Sequence, residues 1–176
     1  MKKLYFIRHG ESLGNARRVF TGQWDAPLTD LGRAQAKTAA KKAGSLNIDC
    51  IVSSTLVRAG ETAKIIAAEI GYPLDKIVYS NLFMERNYGD WQQQPYSVAD
   101  GKDFESVPGV ESEEHLLRRA KAAVALLKGI DADNILVVGH GTHGLALLQE
   151  ISNRHIEQIE VPVEDELPNA QIIELV

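Results

Sequence analysis

Residues 134–141 read "NILVVGHG". Four consecutive apolar residues run into glycine, histidine and glycine. The stretch predicts a strand buried on both faces that stops abruptly in a turn. Residues 4–10, "LYFIRHG", end the same way, with a histidine and a glycine after an apolar run. Working outward, the patterns predict a strand at 4–8 and a helix over 29–43, with Thr29 or Asp30 as its cap and Gly44 as its stop. A short strand at 50–53 leads to a helix over 56–70 that ends at Gly71, and then to a strand at 76–79. Helices follow over 112–128 and 142–151, and strands again at 159–161 and 171–176. Between them, residues 85–108 are rich in Gly, Pro, Gln and aromatics, so 85–110 is expected to form a flap. Alternating strands and helices imply an α/β fold: a three-layer α/β/α sandwich with a mostly parallel sheet.

The chain of 176 residues, 44% hydrophobic and 24% charged, suits one compact domain over residues 1–176. A formal net charge of -5 argues against general binding of nucleic acid or of an anionic membrane, yet it permits a local cationic pocket. The single cysteine, Cys50, offers no disulfide and no cysteine zinc site, and reads as a small core residue. The apolar run before Arg8 is too short for a signal segment, and no later stretch reads as a bilayer span. A cytoplasmic protein is the expectation. A homodimer stays open, because periodicity does not separate an interface face from a core face.

Both histidine-bearing turns lie at the C-terminal ends of strands, where α/β sheets bind ligands. Arg8 stands beside His9, and the segment "SSTLVRAGETA" at 53–63 brings Arg58 to a third strand-to-helix junction. Arg8, Arg58, His9 and His140 in one crevice would repel one another unless an anion filled it. Phosphoryl fits arginine forks and exposed backbone N–H groups. Metal binding is the competing reading of paired histidines. The arginines oppose a dication, and no H-x-x-x-H or carboxylate-rich ligand set accompanies them. A histidine held among cations stays partly neutral, which makes His9 a candidate nucleophile towards phosphorus.

"RHGES" at 8–12 with Asn15, "PLTDLGRAQA" at 27–36, "SSTLVRAGETA" at 53–63, "ERNYGDW" at 85–91 and "GHG" at 139–141 together resemble the histidine phosphatase superfamily, which includes phosphoglycerate mutases. The resemblance covers nearly the whole chain in order. It implies a phosphoglycerate mutase-like fold and a metal-free, cofactor-free phosphohistidine mechanism with His9 as nucleophile. Arg8, Arg58 and His140 would hold the phosphoryl oxygens with help from Asn15, and Glu85 would serve as acid and then as base. Thr21, Gly22 and Gly141 would complete the binding of a small phosphorylated substrate. Gly10 is expected to let the backbone approach the anion.

Blander readings stand beside these. Glu85 could be a solvated acid paired with Arg86, and Ser12 reads better as a cap than as a substrate contact. Trp24, Tyr88 and Trp91 either pack the flap or touch substrate. His143 either lines the pocket or is partly exposed, while His115 and His155 read as bland. Arg17 and Arg18 either steer anions or are simply solvated. Two positions depart from the family pattern: Gly139 replaces a hydroxyl residue before the second histidine, and Gln92 replaces an acid after the tryptophan. Between Trp91 and Glu111 the only Lys or Arg is Lys102. That poverty of cations points to a phosphatase of small metabolites, with a mutase as the alternative and a non-catalytic phospho-ligand module behind it.

Overall fold

The computed structural model describes residues 2–152 and 167–175. In chain order they form β1 (Lys3–Arg8), α1 (Leu13–Arg17), α2 (Asp30–Ala43), β2 (Cys50–Ser53) and α3 (Val57–Ile70). After these come β3 (Val78–Tyr79), α4 (Glu113–Gly129), β4 (Asn134–Gly139), α5 (Gly141–Ser152) and β5 (Ile172–Glu174). The strands lie side by side in the order β3-β2-β4-β1-β5. β1 to β4 run parallel, and β5 joins the edge antiparallel to β1.

The period-2 alternation of the strands divides the core into two layers. Leu4, Phe6, Ile135 and Val137 face α4 and α5, meeting Leu116, Ala120, Val124, Leu127, Leu145 and Leu147. Tyr5, Ile7, Ile51, Leu136 and Val138 face α2 and α3, whose contacts are mostly alanines: Ala39, Ala40 and Ala43 on one helix, Ala59, Ala63 and Ala67 on the other. Each fully buried Leu, Ile or Val in these layers contributes roughly 1.5–3 kcal/mol against exposure. The result is the expected α/β/α sandwich. Cys50 is a buried member of the first layer, as its neighbours in sequence indicate.

Register places the site. Arg8 pairs with Gly139 across the parallel β1/β4 ladder, so both strands end at one level and hand His9 and His140 to the same edge. β2 ends beside them, where Ser54 donates its N–H to the Val138 carbonyl at 3.0 Å.

Some boundaries differ from expectation. The strand expected at 76–79 keeps only Val78 and Tyr79, because Leu74–Lys76 closes a 3-10 turn behind Pro73. The tail strand expected over 171–176 is Ile172–Glu174, and the one expected at 159–161 lies outside the described residues. The α1 turn, too short for any periodicity, is built by a capping box: Ser12 accepts from the Asn15 N–H, and Asn15 accepts from the Ser12 N–H. The segment expected to be irregular contains 3-10 turns at Gly89–Trp91, Tyr96–Ala99 and Phe104–Ser106. They wrap around Phe20, which stacks on Trp91 at 5.5 Å and meets Tyr96 edge-on at 5.1 Å. Among the described residues, no helix is long and apolar enough to cross a membrane.

Candidate active site

At the shared edge of β1, β2 and β4 lies a small cleft. Seven residues singled out from the sequence line it: Arg8, His9, Asn15, Thr21, Gly22, Arg58 and Glu85. Phe20, Tyr88, Tyr96 and Thr142 complete the wall.

The hydrogen bonds of His9 identify its tautomer. Nδ1 lies 2.6 Å from the Gly10 carbonyl oxygen, which can only accept, so Nδ1 carries the proton. Arg58 donates Nε–H to Nε2 at 3.1 Å, so Nε2 presents a lone pair. Burial, then the charges of Arg58 and Arg8, hold the His9 pKa well below its usual value. The ring is therefore neutral at pH 7, with its basic nitrogen pointed at a guanidinium.

Arg58 leads the first turn of α3 and is 1% exposed. Burial pushes its pKa down to about 10, so it stays charged at neutral pH. Its remaining contacts reach across the cleft to the carbonyls of Gly22 at 2.7 Å and Trp24 at 3.0 Å. One arginine thus ties the loop after α1 to the imidazole. Gly22 has φ +51, and a Cβ there would sit 2.6 Å from the Gln92 amide oxygen, so only glycine fits. That same oxygen accepts from the N–H groups of Gln23 and Trp24 at 2.6 and 3.1 Å. The departure at position 92 therefore keeps the acceptor and loses only the charge.

Arg8 donates to the Leu167 carbonyl at 3.0 Å. The segment just before β5 also holds the backbone of this turn: the Asn169 amide donates to the His9 carbonyl at 2.8 Å, and the Ala170 N–H to the Arg8 carbonyl at 2.9 Å. Asn15 spends its amide oxygen on Ser12, which leaves its NH₂ for the cleft.

Glu85 is 8% exposed and its carboxylate accepts three backbone N–H groups: Arg86 at 2.8 Å, His143 at 2.8 Å and Thr142 at 3.1 Å. The last two belong to the first turn of α5, where the helix dipole favours an anion. The Arg86 side chain turns away, donating to the Glu111 carbonyl at 2.8 Å and lying over the Phe104 ring. The solvated Glu85–Arg86 pair is not what forms.

Three expectations need correction. His140 is fully buried, Gly141 is buried, and neither lines the cleft. The His140 ring has its Nε2 2.8 Å from the Ser54 Oγ and packs edge-on against His9 at 5.1 Å between centroids. Thr142 lines the cleft in their place. Gly10 does not face the cleft: a Cβ there would meet the Gly32 carbonyl oxygen at 2.3 Å, so this glycine serves the close approach of α2. His143 is neither pocket-lining nor exposed. It lies fully buried beside Phe83, and burial, then the charge of Arg119, pushes its pKa down to about 3.

The other undecided residues separate cleanly. Tyr88 both packs on Phe20 and lines the cleft, its hydroxyl 2.6 Å from that of Thr142. Trp91 packs in the aromatic cluster, and Trp24 lends only its backbone. Arg17 and Arg18 are exposed, as is His115, while His155 lies outside the described residues. Gly139 faces Phe6, where a Cβ would meet the ring at 2.9 Å, so that departure makes room for an aromatic ring in the core. Among the described residues, no three His, Cys, Asp or Glu side chains group to hold a metal ion.

The family model for the histidine phosphatase superfamily (branch 1) matches residues 4–175. The chain belongs to this superfamily. It is 33% identical over 151 residues to a probable phosphoglycerate mutase GpmB of Enterobacter sp. (strain 638), a match spanning 80% of this chain and 70% of that protein. The mycobacterial glucosyl-3-phosphoglycerate phosphatase Rv2419c, solved with VO3, superposes with a TM-score of 0.80 at 25% identity, over 99% of this chain and 92% of its own. The alpha-ribazole phosphatase of Shigella flexneri shares the fold, with a TM-score of 0.77 at 23% identity over 89% of this chain and 83% of its own. This superfamily member is accordingly an enzyme whose relatives carry the names of a mutase and of phosphatases.

Proposed function

We propose that the protein is a metal-independent phosphatase of small phosphomonoesters that works through a phosphohistidine at His9 Nε2. The observation that carries this reading is the hydrogen-bond pair on the ring, with Nδ1–H given to Gly10 and the Nε2 lone pair facing Arg58. Substrate phosphate enters between Arg8, Arg58 and the Asn15 amide. The Arg58 Nε–H transfers from Nε2 to a phosphoryl oxygen, freeing the lone pair. Glu85, an anion in the resting site, takes up the proton of the incoming monoanionic phosphate ester; the Nε2–P bond then forms as the P–O ester bond breaks, and Glu85 passes that proton to the leaving oxygen. The Gly10 carbonyl stabilises the positive charge that develops on the ring. Water then attacks phosphorus, losing a proton to Glu85, and the Nε2–P bond breaks to release phosphate. Fixed guanidinium groups stabilise the equatorial oxygens throughout, so no metal is required.

The choice of phosphatase over mutase rests on the far wall. Beyond Arg8 and Arg58, the far side of the cleft is lined by Phe20, Tyr88, Tyr96, Thr21 and Thr142, with no further cation among the described residues to grip a carboxylate or a second phosphate. Arg86, next to Glu85 in the chain, is turned to the Glu111 carbonyl. A site that does not retain a bisphosphorylated intermediate loses its phosphoryl group to water. The mutase names among the relatives favour the alternative, and one assay separates the two. The protein is incubated with 3-phosphoglycerate, with and without 2,3-bisphosphoglycerate, and with a panel of phosphomonoesters. Phosphate release that survives EDTA and disappears in His9→Ala supports the phosphatase. Bisphosphoglycerate-dependent isomer exchange without release would establish the mutase instead, and tight phosphate binding without turnover a binding module.

A further inference from the structure

Glu85 sits in a stretch without helix or strand, between the 3-10 turns that end at Phe83 and begin at Gly89. The Gln23 amide donates to the Glu85 carbonyl at 3.1 Å from the loop after α1, and the largest set of bonds to this segment comes from one side chain of α4. Arg119 donates all five of its N–H groups: Nε to Glu111 Oε1 at 3.0 Å, one terminal nitrogen to the carbonyls of Leu82 and Met84 at 3.1 and 2.5 Å, and the other to Glu111 Oε2 at 2.8 Å and the Glu85 carbonyl at 3.3 Å. Both partners are sequestered, with side-chain exposures of 11% and 6%. Glu111 is itself stitched to the same loop. Its backbone N–H donates to the Asn87 carbonyl at 2.8 Å, its carboxylate accepts from the Asn87 N–H at 3.3 Å, and its carbonyl accepts from Arg86. Burial alone would push the Glu111 carboxyl up, but the bonds and charge of Arg119 outweigh it, so the pair is ionic.

We infer that Arg119, braced by Glu111, is the positioning residue for Glu85, fixing the acid's main chain so that its carboxyl meets the leaving oxygen. This rests on the reading of Glu85 as the proton donor. The fork geometry is essential: five donors in one plane reach two carboxylate oxygens and three carbonyls at once, whereas a lysine has three donors on a point charge. Neither residue touches the cleft. The effect therefore falls on proton delivery and leaves phosphate binding intact.

The test uses the dependence of kcat/KM on the leaving group. Hydrolysis of p-nitrophenyl phosphate expels an anion that needs no proton, whereas phenyl phosphate needs one. The ratio of kcat/KM for phenyl to p-nitrophenyl phosphate reports acid catalysis and is independent of the fraction of enzyme that is folded. Arg119→Lys should lower this ratio about tenfold and Glu111→Gln by a smaller factor, both in the same direction as Glu85→Gln. If Glu85→Gln lowers the ratio and Arg119→Lys leaves it within about twofold of the parent, the positioning role is wrong while the acid stands. If Glu85→Gln leaves the ratio unchanged, the acid assignment fails and the positioning role fails with it.

Discussion

The two walls of the cleft are built on different principles. The floor, with Arg8, His9 and Arg58 backed by Ser54 and His140 beneath them, is made from the ends of three adjacent parallel strands and the first turn of a helix. Its side chains are placed by the ladder itself, since Arg8 opposite Gly139 puts the two histidines together. The opposite wall, with Phe20, Glu85, Tyr88 and Tyr96, has no ladder. It depends on an aromatic cluster, on the Glu85 carboxylate capping α5, and on Arg119 threading its donors into a bare loop. A wall set by backbone pairing is rigid by construction. One set by side chains is only as rigid as each partner.

Removing the proposed nucleophile breaks the floor outright. His9→Ala should reduce phosphate release by about 10⁴-fold or more, with unfolding midpoints little changed, as measured by released phosphate and by a denaturant titration. The strongest blow to the opposite wall is Phe20→Ala. That ring is 1% exposed and packs on Tyr88, Trp91, Tyr96 and Phe104, so its loss should cost about 3–5 kcal/mol in chemical denaturation and loosen the flap. If the variant unfolds no earlier than the parent, the aromatic cluster does not hold that wall.

A pH titration sharpens the contrast. His9, His140 and His143 are buried neutral, each with a pKa lowered first by burial. The unfolded chain takes up their protons near pH 6.5, before the native state does. Their contribution to stability is therefore full above about pH 6.5 and is lost progressively as pH falls below it, for His143 down to about pH 3, with a slope of roughly 1.4 kcal/mol per unit for each imidazole. Urea midpoints between pH 7 and pH 4 should fall accordingly. His143→Phe should make the decline shallower by about one proton; an unchanged slope would mean that His143 already protonates in the folded protein.

The smallest effect concerns Gln92. Gln92→Leu removes the oxygen that receives the Gln23 and Trp24 N–H groups and should lower kcat/KM about tenfold, whereas Gln92→Glu keeps the acceptor and should stay within about threefold. Equal losses in both variants would show that the amide NH₂, not the oxygen, matters at this position.

The chain order of residues was enough for the layers of the sandwich, for the strand-end histidines and for Arg58, because apolar periodicity and a turn glycine are local signals that the sheet then obeys. Glu85 was legible through the "ERNYGDW" resemblance, though its burial was not. Contacts between segments far apart in the chain left no such trace. Phe20 meets Tyr96 only after the loop folds over, His140 shares its Nε2 with Ser54 behind the cleft, and Gly10 answers to Gly32 instead of to an anion. Arg119 looked like any charge on a helix, since nothing in its neighbourhood announces which carbonyls it will meet. Local pattern is carried by neighbouring residues, whereas partner choice for a buried polar group is settled only when the layers close and water is no longer available to satisfy it.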